Sequence, residues 1–145
     1  MRFVDTNVLL YAVGRSAGER AKTEAALGIL ESADLVLSVQ VLQEFYVQAT
    51  RPTRADRLSH EQAVLLIESM ALRFPIQEVT VPLLRSALDL AARFRVSYWD
   101  AAIVEAARAG GCSVILTEDM SDGQDFAGVT VKNPFTSRRT RRRRG

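Results

Sequence analysis

The stretch Arg2-Phe3-Val4-Asp5-Thr6-Asn7 indicates the fold class of the chain. Arg2–Asp5 has the composition of a short β-strand, and Thr6-Asn7 begins a helix that runs to about Ala12. The same alternation continues along the chain, with β-rich apolar runs separated by helical segments. Strands that alternate with helices predict a parallel sheet covered by helices. We therefore expect an α/β fold.

Four more strands and five more helices are expected. The strands are predicted at Leu35–Leu37, Ile76–Val79, Ser113–Leu116 and Val129–Val131. The helices are predicted at Gly18–Ala33, Ser38 to Thr50, Ser59 to Arg73, Thr80 to Phe94 and Ser97 to Gly110, with N-caps at Ser38 and Ser97 and a capping box at Ser59-His60-Glu61-Gln62. In an open sheet of this kind, ligands bind beyond the carboxyl ends of the strands.

The composition of the 145 residues suits one domain and narrows the kind of metal site it can form. With one cysteine, Cys112, and one histidine, His60, the chain can form no internal disulfide and lacks the ligands of a zinc site. A metal would be held by carboxylate oxygens, which favours Mg²⁺ or Mn²⁺. No apolar run is long enough to cross a bilayer and the start is too polar for a signal peptide, so we expect a cytoplasmic location and no membrane partner.

Basic residues are concentrated at the end of the chain. Six of the 19 lysines and arginines lie between Arg138 and Arg144, so residues 1–137 carry 13 basic and 17 acidic side chains, a net charge of −4. The sequence thus divides into a mildly acidic domain, residues 1–135, and a basic tail, residues 136–145, that is expected to be disordered. Such a tail is either a solvated extension or a segment that holds RNA through phosphate contacts.

Two aspartates stand directly after expected strands. Asp5 ends the first strand, and Asp119 follows the fourth in Leu116-Thr117-Glu118-Asp119. Because the carboxyl ends of parallel strands share one edge of the sheet, we expect these side chains near each other. Each also has an ordinary alternative: Asp5 can cap the following helix, and Asp119 can belong to a polar loop.

Two more acidic residues lie in the early turns of helices. Asp100 shares a helical face with the apolar residues Ile103 and Val104, where an unpaired carboxylate is costly. Ser97 and Asp100 also have the spacing of a capping box, which would use the same carboxylate. Glu44 lies at the edge of the apolar face of its helix and by itself fits an ordinary solvated glutamate.

All four carboxylates are expected at the same end of the sheet. Like charges gathered in one place repel each other, so such a group persists when a cation neutralises it. A Mg²⁺ site that grips phosphate is the simplest physical reason for the pattern, and Mn²⁺ is expected to replace Mg²⁺. The candidate catalytic and metal-binding residues are therefore Asp5, Glu44, Asp100 and Asp119.

The segments that contain these residues resemble a known family. VapC-type PIN-domain toxins have four motifs, which are similar, in order, to Phe3-Val4-Asp5-Thr6-Asn7-Val8, Gln43-Glu44-Phe45, Tyr98-Trp99-Asp100-Ala101-Ala102-Ile103 and Leu116-Thr117-Glu118-Asp119-Met120. The resemblance extends over residues 1–135. It implies a single PIN-like α/β domain with a five-stranded parallel sheet in the order 3-2-1-4-5, flanked by helices.

The resemblance also implies a function. It implies a magnesium-dependent endoribonuclease that is the toxin of a type II toxin–antitoxin pair, forms a homodimer and is inhibited by a VapB-type antitoxin. Carried over residue by residue, Thr6 and Thr117 support an acidic site made of the four carboxylates. Asp122 stands near the place of a further acidic residue of the family, at a spacing that leaves its role open.

One helix also favours association of two copies. The segment after Ser59 has a wide apolar surface, made of Ala63, Val64, Leu65, Leu66, Ile67, Met70 and Ala71. A small domain buries only part of such a surface, and exposed apolar patches mark interfaces. Together with the resemblance, this predicts a homodimer.

Two other functions fit parts of the sequence. A phosphoacceptor signalling domain is also a five-stranded parallel sheet with acidic groups after its first strand, but it needs an aspartate directly after the third strand. This chain has Glu78-Val79-Thr80 there. The other function is that of a PIN-like module that binds RNA or protein without catalysis. Trp99, beside Asp100, is expected to pack into the core, with stacking on a base as the alternative.

Overall fold

The structure, a computed structural model, describes residues 1–136. Its strands are β1 (Arg2–Val4), β2 (Leu35–Ser38), β3 (Ile76–Gln77), β4 (Val114–Leu116), β5 (Asp125–Phe126) and β6 (Val129–Lys132). Its α-helices are α1 (Thr6–Ala12), α2 (Arg20–Leu30), α3 (Val39–Ala49), α4 (His60–Arg73), α5 (Val81–Phe94) and α6 (Tyr98–Ala109). A 3-10 turn at Ala17–Glu19 precedes α2, which is shorter than the helix expected over Gly18–Ala33.

The strands form one sheet in the order β3-β2-β1-β4-β6-β5. All neighbouring strands are parallel except β5 and β6, which form an antiparallel hairpin at one edge. The expected parallel sheet in the order 3-2-1-4-5 is confirmed, its fifth strand being β6. The sheet has six strands and not the expected five, the additional one being β5. A two-residue strand is too short to show an alternating pattern.

The central strands are buried on both faces. Phe3 and Val4 of β1, Leu35 and Leu37 of β2 and Ile115 of β4 have no exposed surface. Parallel strands covered by helices on both sides have continuous apolar sequences for this reason. The first polar residue after such a run therefore marks the point where the chain leaves the core.

Serines begin three of the helices, as expected. The Oγ of Ser38 accepts a hydrogen bond from the backbone N–H of Val41 at 3.2 Å, which fixes the start of α3 directly after β2. Ser59 and Gln62 form the complete capping box at the start of α4. These bonds satisfy N–H groups that lack partners within the helix. Local sequence thus determines where α3 and α4 begin.

The apolar surface expected on α4 is partly buried and partly exposed. Ala63 is fully buried, and Leu66, Ile67 and Met70 pack against the core. In contrast, Leu65 is 72% exposed and the next leucine on that face, Leu72, is 89% exposed. Part of the apolar surface of α4 is therefore available for an interaction.

The described part of the chain ends beside α1. The ring of Phe135 packs edge-on against Tyr11, with the centroids 4.9 Å apart. The hydroxyl of Thr136 donates to the carbonyl of Asn133 at 3.1 Å. The basic tail expected at residues 136–145 lies, from residue 137 onward, outside the described residues. Within residues 1–136, the helices are too short or too polar to span a bilayer.

Candidate active site

Strands β1, β2 and β4 deliver polar residues to one edge of the sheet. Val4 pairs with Leu116, and beyond this pair the N–H of Asp5 donates to the carbonyl of Leu116 at 3.1 Å. The residues that follow β1 and β4 therefore meet. On the other side of β1, Ser38 ends β2 and leads directly into α3.

The carboxylate of Asp5 is buried at this edge. Only 7% of the residue is exposed. Its Oδ1 accepts from the backbone N–H of Thr6 at 2.8 Å, and its Oδ2 accepts from the hydroxyl of Thr117 at 2.8 Å. Asp5 therefore does cap α1, as one interpretation held, but this bond uses only one oxygen. The other oxygen ties Asp5 to the residue after β4.

Thr117 connects Asp5 with Asp119. While donating to Asp5, its hydroxyl accepts from the Nδ2 of Asn7 at 2.8 Å and from the backbone N–H of Asp119 at 3.1 Å. The same Nδ2 of Asn7 donates to Oδ2 of Asp119 at 3.1 Å. A hydroxyl has one donor and two acceptor positions, so Thr117 has no free hydrogen-bonding capacity. The two aspartates are thus held in a fixed relation.

Asn7 is the residue of this network that sequence reasoning missed. It is placed in the sequence only at the start of α1, yet it is 7% exposed and its amide bonds the residues after β4. The available signal was its place immediately before the apolar run Val8-Leu9-Leu10. An amide buried there needs hydrogen-bond partners elsewhere in the fold.

Glu44 faces the same edge from α3. Its Oε2 accepts from the hydroxyl of Thr6 at 3.0 Å, and its Oε1 accepts from the Nε2 of Gln40 at 3.1 Å. Glu44 is half-buried, and Gln40 is buried. The carboxylate is therefore held in place by neighbours, and the interpretation of Glu44 as a freely solvated side chain is wrong.

Asp100 lies in the first turn of α6 and is also half-buried. The Oγ of Ser97 accepts from the backbone N–H of Asp100 at 3.1 Å. This cap uses the backbone N–H of Asp100 and so does not require its carboxylate, although a hydrogen bond from Ser97 also lowers the pKa of that carboxylate. The expected apolar face is present, because Ile103 and Val104 are buried.

Two of the four carboxylates, those of Asp5 and Asp100, have raised pKa values. Burial raises the pKa of Asp5 to about 6, against the hydrogen bonds from Thr6 and Thr117, and the charges of Glu44 and Asp119 raise it further. Burial also raises the pKa of Asp100, against the hydrogen bond from Ser97, and the charges of Asp119 and Glu44 raise it further. The edge of the sheet therefore gathers negative charge that the surroundings disfavour.

Within residues 1–136, none of the four ion pairs includes these carboxylates. The neighbouring Glu118 differs, since it pairs with Nζ of Lys22 at 3.0 Å and accepts from the hydroxyl of Tyr11. Lys22 also donates to that hydroxyl at 3.1 Å. This cluster is not predictable from the sequence, because its members come from three separate segments of the chain.

The donor chemistry of the edge suits a hard divalent cation. Carboxylate oxygens are the ligands that Mg²⁺ and Mn²⁺ prefer, and each oxygen that accepts one hydrogen bond retains further lone pairs. In their present rotamers, no three Asp, Glu, His or Cys side chains of the described chain are close enough to hold one ion together. The residue types therefore fit a Mg²⁺ site. In this structure the carboxylates of Asp5, Glu44 and Asp119 instead accept hydrogen bonds from neighbouring residues.

A cavity of about 390 Å³ opens at this edge. It is lined by Thr6, Asn7, Leu10, Tyr11, Glu19, Glu44, Gln48, Arg54, Glu118 and Asp119. Asp5 and Asp100 do not line the cavity. Asp5 is hydrogen-bonded to Thr6, which lines the cavity, and to Thr117, which does not. Four of the lining residues are acidic and one is basic, so the cavity favours a cationic group.

Three other residues singled out in the sequence lie in different surroundings. Trp99 is 65% exposed, so the expectation that it packs into the core is wrong. Its place at the second position of α6 directs it outward while Asp100 faces the site. One oxygen of Asp122 accepts from the backbone N–H of Asn133 at 2.8 Å. His60 contacts the hydroxyl of Tyr46 at 2.9 Å and is exposed.

Removing the charge of Asp5 is expected to change how stability depends on pH. The pKa of Asp5 in the folded protein, about 6, lies above its ordinary value. Above about pH 6 the ionised carboxylate therefore destabilises the fold, whereas below about pH 4 Asp5 is protonated and has no such effect. Between pH 4 and pH 7, the metal-free protein should therefore lose about 2 kcal/mol of unfolding free energy relative to Asp5→Asn. Urea unfolding of both proteins in EDTA measures this difference.

A matched control is Asp89→Asn, which changes an exposed aspartate on α5. It is unfolded in parallel as the reference for removing an aspartate charge outside the site. A difference between the wild type and Asp5→Asn that does not change with pH would contradict the raised pKa of Asp5.

The order of the strands excludes one alternative function. In flavodoxin-like signalling domains the order is 2-1-3-4-5, with the third strand in the middle of the sheet. Here β3 is an edge strand of two residues, and Glu78 follows it. The fold is therefore not that of a phosphoacceptor domain.

Solved structures with this architecture include several from bacterial toxin–antitoxin systems. VapC20 of Mycobacterium tuberculosis, described as a sarcin-ricin loop cleaving toxin, aligns with a TM-score of 0.63 and 19% identity over 82% of this chain and 92% of its own. A toxin–antitoxin complex from Klebsiella pneumoniae aligns with a TM-score of 0.66 and 20% identity, over 93% of this chain and 98% of its own. VapBC2 of Rickettsia felis, bound to a DNA fragment from its promoter, aligns with a TM-score of 0.62 and 14% identity, over 91% of this chain and 97% of its own.

At these identities the structures establish the fold alone. No curated protein is significantly similar to the chain in sequence. The PIN domain family, however, matches residues 2–121, which include all four candidate carboxylates. The chain therefore belongs to the PIN domain family.

Proposed function

We propose that the chain is a magnesium-dependent endoribonuclease and the toxin of a type II toxin–antitoxin pair. The observation that carries the proposal is the set of four carboxylates at one edge of the sheet, which have no cationic partner within residues 1–136. The chain's membership of the PIN domain family and its likeness to a toxin that cleaves the sarcin-ricin loop support the same function. The activity is assigned to residues 1–135, acting in the cytoplasm.

In this proposal, Asp5, Glu44, Asp100 and Asp119 hold the cation. A bound divalent ion neutralises charge on a phosphodiester during its hydrolysis. The protein contributes orientation, because Thr6 and Thr117 hold Asp5, while Asn7 holds Asp119. Since Asp5 has a raised pKa, protons compete with the cation, and binding should weaken as the pH falls through about 6.

The nuclease proposal is tested by replacing single carboxylates. Asp5→Asn and Asp100→Asn should each lower cleavage of a defined RNA by at least about 100-fold, because a metal contributes several kcal/mol to charge stabilisation. Cleavage should require a divalent cation, persist when Mn²⁺ replaces Mg²⁺, and stop in excess EDTA. Gel-based cleavage assays at matched protein concentrations measure all of these effects.

The exposed aspartate again supplies the control, and Asp89→Asn should cleave at the wild-type rate. Full cleavage in EDTA would exclude the metal site. An inactive wild type that still binds RNA would instead favour the alternative function, a PIN-like module without catalysis.

We further propose that the chain forms a homodimer through the exposed apolar side of α4. Leu65 and Leu72 are seven residues apart and therefore lie on one helical face, and both are mostly exposed. Exposed apolar surface of this kind is typical of an interface.

Light scattering at micromolar concentration tests the dimer. The wild type should have twice the monomer mass of 16.0 kDa. Leu65→Lys should shift it toward the monomer, because a charge would be placed within an apolar interface. Leu27→Lys, at a 48% exposed leucine of α2, should leave the mass unchanged. A wild type that is monomeric throughout would rule out this association.

The proposed protein partner is a VapB-type antitoxin. Structures similar to this chain come from toxin–antitoxin complexes. The carboxylates at the edge of the sheet concentrate negative charge, and a guanidinium can pair with a carboxylate through two parallel hydrogen bonds. We expect the antitoxin to insert an arginine near Asp5 and Asp100, and an amphipathic segment to lie along the neighbouring helices.

An arginine-to-alanine scan of the antitoxin tests this contact. One substitution should weaken inhibition by about 30-fold or more, as expected for a buried charged anchor. The corresponding lysine should restore inhibition only in part, because an ammonium lacks the planar fork. If every arginine can be replaced without loss of inhibition, the antitoxin blocks the site in another way.

A further inference from the structure

The exposed indole of Trp99 lies next to the site and has no role in the proposal so far. It precedes Asp100 in the first turn of α6 and is 65% exposed. The ring is supported on one side by Tyr98, with centroids 5.1 Å apart and planes inclined by 72°. A large aromatic side chain kept in water beside a cleft is characteristic of a binding surface.

Trp99 forms one wall of a groove of about 330 Å³. The opposite wall is a face of α3, and the groove is lined by Gln40, Gln43, Glu44, Val47, Gln48 and Trp99. These α3 residues are spaced three or four apart, so they lie on one side of the helix. The groove therefore combines an aromatic ring and a valine with three primary amides and, at the border with the cavity, the carboxylate of Glu44.

This groove is continuous with the acidic cavity. Glu44 and Gln48 line both spaces, so the groove begins where the cleft containing Asp119 ends. A chain whose phosphate lies at the carboxylates would therefore have a neighbouring group at the groove. The two sites share α3 as a common wall.

The lining identifies the kind of group that fits. The groove has no cationic side chain, so it is not suited to a phosphate. An amide offers both a donor and an acceptor, as the edge of a nucleobase does, and indole faces stack on bases of any type. A flat, neutral group with donors and acceptors at its rim matches these walls.

We propose that the groove between Trp99 and α3 binds an unpaired nucleobase of the RNA next to the cleaved phosphodiester. Trp99 stacks on the base, and Gln43 and Gln48 contact its edge. The substrate is then single-stranded at that position, since a base within a duplex is already stacked. The inference rests on the proposed nuclease function but concerns binding, which can be measured without cleavage.

Trp99 is the single tryptophan of the chain, so its fluorescence reports on the groove alone. Wild-type protein in excess EDTA and low salt is titrated with unstructured oligoribonucleotides, and with an abasic strand of the same length. The base-containing strands should quench the fluorescence and bind about 5- to 150-fold more tightly than the abasic strand. Equal binding and quenching by the abasic strand, or no quenching at all, would overturn the proposal.

Two variants separate stacking from apolar contact. With a labelled oligoribonucleotide, anisotropy should show near wild-type affinity for Trp99→Phe and a loss of about 5- to 150-fold for Trp99→Leu. Leu88→Ala, at an exposed leucine of α5, is the control and should bind as the wild type does. Wild-type affinity in Trp99→Leu would also overturn the proposal.

A separate cleavage assay with Mg²⁺ distinguishes the nuclease function from base binding in the groove. Quenching without cleavage would contradict the nuclease function and leave the base-binding groove in place. Cleavage without quenching would contradict the base-binding groove and leave the nuclease function in place. Gln43→Ala should in addition alter the relative affinities for oligomers of the four bases, because an amide that contacts a base edge discriminates among bases.

Discussion

The carboxylate of Asp5 must carry charge in a place that water scarcely reaches, and the surrounding structure depends on this constraint. Two hydrogen bonds to it favour the charged form, while burial and the neighbouring carboxylates oppose it. One of these bonds exists only because β1 and β4 pair in a register that brings Thr117 to Asp5. The register of the sheet, the start of α1 and the charge state of the site are therefore linked.

The features that could be predicted from sequence are those that neighbouring residues determine. Asp5 was expected at the site because it follows a buried strand, and Ser97 was expected to cap α6 because of its place before the helix. Features that depend on distant segments were not predictable. Lys22 meets Glu118 across 96 residues of chain, and Trp99 is 65% exposed although six other residues of α6 are buried. Neither fact leaves a pattern in the local sequence.

Helix α3 has two functions in this fold. Its first residues follow β2 directly, so the helix is anchored to the buried sheet at Ser38. Further along, Glu44 faces the carboxylates, and Glu44 and Gln48 border both the acidic cavity and the groove at Trp99. A small rotation of α3 would therefore alter the charge cluster and the groove together. Substitutions along this side of α3 are therefore expected to affect both spaces.

Both edges of the sheet are strands of two residues, β3 at one side and β5 at the other. An exposed strand of normal length offers unpaired N–H and C=O groups on which another chain can add itself, and this is a common start of aggregation. Two residues offer too few such groups to hold a foreign strand. The hairpin of β5 and β6 thus shields the parallel strands from growth by strand addition.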